Sequence, residues 1–126
     1  MPRSRIVAVA LFAFLLSAPE SQGQKATEQF IPIGQSPGLS TTFTDIAEVA
    51  EVDAGARTIT LPVAGGRSVT VTEQTRIWLD RSQNGQSNVM GGFEDLQVGL
   101  QVEVKYEDNQ RRAIAEWIKV APERAN

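Results

Sequence analysis

The sequence predicts an all-β domain, a small five- to six-stranded barrel of the OB type with one short helical turn. Apolar and polar residues alternate in short runs, most regularly where Leu100, Val102, Val104 and Tyr106 share one strand face. Glycine-rich and polar turns separate these runs. No run has the length and period of an α/β helix, so closure of the strands on one another is the predicted way to bury their apolar faces.

The first residues predict a signal peptide. Arg3 and Arg5 precede an unbroken apolar stretch over residues 6–16, and small residues follow. Cleavage after Gly23 places small residues at the −3 and −1 positions, and cleavage after Ala18 is the second option. A bilayer-spanning helix needs about 20 apolar residues, so we expect no stable membrane anchor after cleavage. The predicted location is periplasmic or secreted.

Charge and composition narrow the class of protein. Removal of the signal peptide, residues 1–23, would leave 10 basic and 14 acidic residues, a net charge of −4. About 100 remaining residues are enough for one domain with one core. An acidic domain is a poor polyanion binder, because Lys and Arg supply most of the affinity for phosphates, and we therefore predict no nucleic-acid partner. The sequence contains no Cys, so no disulfide supports the exported product.

Three further segments follow the signal peptide. Residues 24–41 contain several Pro, Gly and Ser residues and only scattered apolar ones, which is typical of a flexible lead-in. An apolar group near Phe30 offers the alternative of a clip onto the barrel surface. Residues 42–121 carry the strand pattern and form the predicted barrel domain. Residues 122–126 are a C-terminal tail.

The first half of the domain contains strands joined by tight turns. Apolar residues of both parities over residues 43–52 exclude one flat strand and indicate a bulge or bend. A turn at residues 53–56 leads to a strand over residues 57–61, and Gly65 with Gly66 predicts the next hairpin turn. Residues 68–72 and 75–79 fit two short strands or one broken strand equally well.

The second half begins with the longest loop, over residues 80–92, which is rich in Ser, Asn, Gln and Gly. Residues 93–96 predict the single helical turn, and Gly99 supplies an unusual backbone angle before the strand of residues 100–106. A turn at residues 108–109 leads to the last strand, over residues 112–120, where Ile114, Ile118 and Val120 share one face. Long loops inside compact domains are functional or disordered, so the loop of residues 80–92 is a place to look for a site.

The apolar framework resembles a family of small, exported bacterial OB-like barrels of unknown function. The resemblance covers residues 42–120 and implies a fold and export but no catalytic residue. It rests on four strings, Ile59-x-Leu61, Val69-x-Val71-Thr72-x-x-Thr75-x-Ile77, Phe93-x-Asp95-Leu96-x-x-Gly99-x-x-Val102-x-Val104 and Ala115-x-x-Ile118-x-Val120.

The residue inventory argues against an enzyme. The chain has no His and no Cys, so the usual general base at neutral pH and the common transition-metal ligands are missing. We therefore predict a non-catalytic binding or accessory module without a cofactor. The alternative is a calcium-like or hydrolytic carboxylate site in residues 80–94. Asp80 to Gly85 match the opening of a calcium loop, but the closing carboxylate position is Gly91, and Glu94 comes three residues later.

The binding hypothesis centres on Trp78. Its strand parity places it with Arg76 and Asp80, on the polar side, where an indole could stack on a saccharide or insert into a partner protein. The predicted binding residues are Trp78, Arg76, Asp80 and Asn84, with an unknown protein or a saccharide as ligand. A structural role for Trp78, capping the open end of the barrel, is the competing interpretation, and Tyr106 and Trp117 are candidates for the core.

Overall fold

A computed structural model describes residues 27–122. Short strands account for nearly all of the regular structure in this part of the chain, and no helix in it is long and apolar enough to cross a membrane. The strands are β1 (Thr44–Glu48), β2 (Glu51–Asp53), β3 (Thr58–Leu61), β4 (Arg67–Thr70), β5 (Arg76–Leu79), β6 (Val89–Met90), β7 (Gln101–Tyr106) and β8 (Ala115–Val120). Two single 3-10 turns cover Ser82–Asn84 and Phe93–Asp95.

The strands form two sheets. The larger has the order β1-β7-β8-β5-β6, and the smaller is the meander β2-β3-β4. All ladders are antiparallel except that between β5 and β8, which is parallel. The prediction of an all-β domain is therefore confirmed, with eight strands in two sheets over residues 27–122 instead of five or six strands in one closed barrel.

A bend between β1 and β2 divides the strands between the sheets. The Val49 amide donates to the Leu100 carbonyl beside β7, whereas the next amide, that of Ala50, donates to the Thr60 carbonyl in β3. Val49 is buried with 2% of its surface exposed. The mixed parity of this segment thus has the predicted cause: the chain turns its apolar side chains inward while it passes from one sheet to the other.

A second break separates β4 from β5. Of the two alternatives that the sequence allows there, the structure has two short strands. The Thr75 amide donates to the Thr72 carbonyl and closes a turn between them. The predicted helical turn occurs at Phe93–Asp95, and Gly99 has a φ of +91°. The loop of residues 80–92 differs from the prediction, because it contains a 3-10 turn and the two-residue strand β6, which pairs with β5. Two residues are too few for a period-two pattern to appear in the sequence.

The inner side of the larger sheet and the smaller sheet enclose the core. Val102 pairs with Val120 and Val104 with Ile118, and all four side chains are fully buried. The remaining members of the core come from both sheets and from the turn before β7: Val49, Ile59, Leu61, Val69, Val71, Ile77, Leu96, Tyr106 and Ala115. Ile114, predicted to share the core face of the last strand, is 39% exposed because the ladder is irregular there and β8 begins only at Ala115.

Residues 27–43, here called the strap, lie against the outer face of the larger sheet. The sequence predicts a flexible lead-in over residues 24–41, but residues 27–41 make defined contacts through backbone amides and polar side chains. Phe30 does not act as an apolar clip, since it is 58% exposed. Residues 24–26, the predicted signal peptide of residues 1–23 and residues 123–126 of the predicted tail lie outside the described residues.

Candidate functional site

Trp78 is buried, which corrects the prediction that its indole stands exposed. Only 1% of its surface is accessible, and its ring lies 5.7 Å from that of Trp117 at an interplanar angle of 37°. The predicted parity is right, because Ile77 faces the core and Trp78 the opposite side. The error has a physical cause: β5 lies between β6 and β8, and the outer face of this sheet is covered instead of open to water.

A groove lies beside this tryptophan pair. It has a volume of about 560 Å³ and is bounded by the start of β5, the start of β8 and the chain that leaves β7. The parallel register places Arg76 beside Trp117 and so brings the two strands' side chains to one place. The lining residues are Gln74, Arg76, Trp78, Glu107, Glu116 and Trp117.

The rim of the groove is polar and the wall is aromatic. Arg76, Glu107 and Gln74 are exposed, whereas Trp78 and Trp117 are only 1% and 3% exposed. Glu116 pairs with Lys105, with 3.1 Å between the carboxylate and the ammonium. The groove therefore offers carboxylate, guanidinium and amide groups, which donate and accept hydrogen bonds in fixed planes.

Of the predicted binding residues, the structure brings Arg76 and Trp78 together at the groove and keeps the other two away. Asp80 is 6% exposed, and its carboxylate accepts hydrogen bonds from the Ile33 amide (2.8 Å), the Ser82 amide (3.0 Å) and the Ser82 hydroxyl (2.6 Å). Asn84 is exposed in the 3-10 turn. Neither lines the groove, so the loop of residues 80–92 is not its continuation.

The sequence does not identify the groove's other members. Trp117 is predicted as a core candidate, and Glu107, Glu116 and Gln74 resemble ordinary surface residues. The parallel pairing of β5 with β8 joins segments about forty residues apart, and no local pattern encodes that pairing. The only feature of the sequence that links any of these residues is the short spacing between Glu107 and the strand that carries Trp117.

Buried charges lie under the strap, on the outer face of the sheet. Lys119 and Glu103 are both fully buried and are cross-strand partners in β8 and β7. The Lys119 ammonium lies 2.8 Å from the Glu28 carboxylate and 3.1 Å from the Ser36 hydroxyl, which also donates to Glu28. The same ammonium lies 4.7 Å from the centre of the Trp117 ring, so the charged cluster contacts the groove wall.

The Glu103 carboxylate is saturated with donors. It accepts hydrogen bonds from the Gly34 amide (3.0 Å), the Ser40 hydroxyl (2.7 Å) and the Thr44 hydroxyl (2.8 Å). Three of its neighbours therefore replace the water that a buried carboxylate loses, which is the condition for burying such a charge.

A separate ionic cluster surrounds Tyr106. The Asp45 carboxylate accepts a hydrogen bond from the Tyr106 hydroxyl at 2.8 Å and pairs with Arg112 at 2.8 Å and Arg67 at 3.3 Å. Burial raises the pKa of Tyr106 well above its ordinary value, and the hydrogen bond to Asp45 and the negative charge of Asp45 raise it further. The neutral phenol is therefore the form that the fold requires.

The described part of the chain contains no group of three or more His, Cys, Asp or Glu residues placed to hold a metal ion. In the calcium-like loop, the first predicted ligand, Asp80, is already engaged by Ile33 and Ser82. A cation there would have to displace these donors, so the geometry favours a structural role for Asp80.

Comparison with known proteins gives a family. No curated protein and no solved structure matches the chain. A family model described as a domain of unknown function, DUF5666, matches residues 47–119. This match includes most of the strands, the groove and the buried charges Asp80, Glu103 and Lys119, and it begins after the strap. The chain thus belongs to the DUF5666 family.

Proposed function

We propose that this protein is an exported, non-catalytic module that binds a saccharide in the groove beside Trp78 and Trp117. The main support is the groove itself, which has a volume of about 560 Å³ and planar polar groups at its rim. Small-molecule sites have volumes of about 300–1,000 Å³ and few, well-placed polar groups. Carboxylate, amide and guanidinium groups match the paired hydroxyls of a sugar, and the two tryptophan side chains of the wall supply the apolar contact.

The burial of Trp78 supports one of the two kinds of ligand predicted from the sequence. A tryptophan that anchors a partner protein has to leave its own surface and enter a pocket of the partner. With 1% exposure, Trp78 cannot do so while its sheet face stays covered. The groove admits a small ligand without any such change, so a saccharide is the proposed ligand and an anchored protein is not.

The strand connections support an OB-like interpretation of the architecture. If β1 with β2 and β4 with β5 are each counted as one bent strand and the two-residue β6 is left out, five strands remain. The last of them, β8, runs parallel to the third through the β5 ladder and a bridge between Thr70 and Ile114. OB folds bind ligands at strands 2 and 3 and at the loops that follow strands 1 and 4. Glu107 lies in the loop that follows β7, the fourth strand of this count.

Export is proposed from the N-terminal pattern of two arginines and an apolar stretch. Expression of the full chain with its own N-terminus, followed by N-terminal sequencing of the periplasmic or secreted product, tests it. Cleavage after Gly23, or after Ala18, supports export. An uncleaved chain that stays in the cytoplasm contradicts it.

The ligand proposal has a direct optical test, because both tryptophans of the chain line the groove. Titration with neutral and amino-sugar oligosaccharides should shift the intrinsic fluorescence and saturate. Arg76→Ala should weaken that binding at least tenfold, while Arg111→Ala, which removes an exposed arginine outside the groove, should leave it unchanged. A chain whose emission responds to none of these sugars, or loses binding equally in both variants, contradicts the proposal.

A further inference from the structure

We propose that the outer face of the larger sheet is a binding site for an acidic peptide segment with a tight turn and that the strap is its displaceable resident occupant. This site shares the sheet face with the groove, but Lys119, Asp80 and Glu103 do not line the groove, and the proposal does not depend on the groove's ligand. The segment that fits it presents a carboxylate to Lys119 and two successive backbone amides to Asp80 and Glu103.

The first support is the way in which the strap is held. Within residues 27–43, the two buried residues are Glu28 and Ser36, and both contact Lys119. The strap's apolar residues remain half-buried or exposed, with Phe30 at 58%. An element that completes a hydrophobic core would bury apolar side chains, whereas the strap contributes polar contacts that water can replace at small net cost.

The second support is the chemistry of the face itself. Glu103, Lys119 and Asp80 are buried only while a covering segment supplies their partners. Burial of charges is costly compared with burial of apolar groups of the same volume. The same charges would be well solvated in an uncovered sheet, so the part of the face that carries them is compatible with water as well as with a cover. Compatibility with water would have no use on a face that is always covered.

The third support is a recognition pattern that reads a tight turn. The Ile33 amide donates to Asp80 at 2.8 Å, and the next amide, that of Gly34, donates to Glu103 at 3.0 Å. Both donors belong to one turn, which the Gln35 amide closes on the Pro32 carbonyl and in which Gly34 has a φ of +84°, so the site selects a segment that can form this turn. The Glu28 side chain adds the charge that selects an acidic segment, through a charge-assisted contact to Lys119.

The fourth support is the boundary of the family match. Residues 47–119 contain Asp80, Glu103 and Lys119, while the partners of these charges in the strap lie before residue 47. The junction also carries backbone strain, because Thr41 adopts a φ of +67°, a region that non-glycine residues avoid. Opening of the strap would release this strain, which lowers the cost of displacement.

A synthetic, fluorescently labelled peptide of residues 27–43 provides the probe. In the full chain the strap competes with the peptide at a high effective concentration, so we expect weak binding. Glu28→Gln in the full chain weakens the internal competitor and should increase the affinity for the peptide at least fivefold. The milder variant Ser36→Ala should increase it less, and Glu51→Gln, an exposed glutamate of the smaller sheet, should leave it unchanged.

A second comparison tests whether the site selects a peptide with a carboxylate. A peptide that carries Glu28→Gln should bind the Glu28→Gln chain at least fivefold more weakly than the unchanged peptide does. If Glu28→Gln does not fold, as judged by circular dichroism, the Ser36→Ala chain takes its place in both comparisons. Equal peptide affinity in the unchanged chain and the weakened-strap chain, or no binding by either up to millimolar peptide, overturns the proposal.

Discussion

The two faces of the larger sheet are made by the same strands and are closed by different physical means. On the inner face, Val104 and Ile118 are fully buried among apolar side chains. On the outer face, Glu103 and Lys119, their direct neighbours in sequence, are equally buried among polar groups of the strap. The two faces are therefore equally buried for different reasons. Apolar contacts keep water from the inner face, whereas the polar contacts between the outer face and the strap can be replaced by contacts with water at small net cost.

The largest expected effect is on the inner face. Ile118→Ala removes a side chain that is fully buried in the core, and such truncations cost about 2–5 kcal/mol. We expect a loss of about 4 kcal/mol in the free energy of unfolding, measured by urea denaturation, because the close-packed sheet cannot collapse into the space. Val98→Ala, at a side chain that is 64% exposed, is the control and should change this free energy by less than about 0.5 kcal/mol.

A smaller effect on the outer face would sharpen the comparison. Removal of one partner of a buried ion pair costs about 3–5 kcal/mol where the pair cannot open. For Lys119→Met we expect a loss of only about 2 kcal/mol, because the strap can open and return Glu28 to water. Adding Glu28→Leu to the same chain should restore part of the loss, since no unpaired carboxylate then remains under the strap. A loss as large as that of Ile118→Ala would mean that both faces are closed in the same way.

Tyr106 links the inner face to the ionic cluster at Asp45, and its removal should have a moderate effect. Tyr106→Phe deletes the hydroxyl that donates to Asp45, and we expect a loss of about 1 kcal/mol at pH 7. Arg112 and Arg67 still compensate the Asp45 carboxylate. A loss above that for Lys119→Met would contradict the assignment of Tyr106 as a single hydrogen-bond donor.

The pKa of Tyr106 also predicts a dependence on pH. Because the pKa is raised in the folded state, the contribution of the neutral phenol is fully present below the unfolded pKa of about 10. It is lost as the pH rises from there through the folded pKa. The chain has one tyrosine, so absorbance at alkaline pH reports its ionisation directly. Ionisation with an ordinary pKa in the folded protein would contradict the buried hydrogen bond.

The smallest effect concerns the calcium-like loop. Asp80 already accepts hydrogen bonds from Ile33 and Ser82, so millimolar calcium should leave the melting temperature unchanged. A ligand that binds only the folded chain must raise that temperature. A rise that Asp80→Asn abolishes would show that the loop binds the ion and that the strap contact at Asp80 yields to it.

The inner face could be predicted from the sequence, and the outer face could not. Val102 and Val104 alternate with polar residues, and this period-two pattern identifies the core face of β7 without knowledge of its partners. The same pattern makes Glu103 look solvent-exposed. Its burial depends on the Gly34 amide, 69 positions away in sequence, and a contact at that separation leaves no local trace.

The groove shows the same limit. Strand parity places Trp78 correctly with Arg76, but parity states only which face a side chain occupies and not what covers that face. The parallel pairing that brings Trp117 to Arg76 is a product of topology. Bends at strand ends, by contrast, can be predicted from the sequence. The mixed parity before Val52 corresponds to the change of sheet, and Gly99 corresponds to a positive φ.

Native-state hydrogen exchange of the full chain in low concentrations of urea tests the difference between the two faces most directly. The Ile33 and Gly34 amides, which donate to Asp80 and Glu103, should exchange through a local opening that depends little on urea and has a smaller free energy than global unfolding. The amides of β7 and β8 should exchange only with global unfolding. If all of them share one free energy and one urea dependence, the strap is an inseparable part of the core and the account is contradicted.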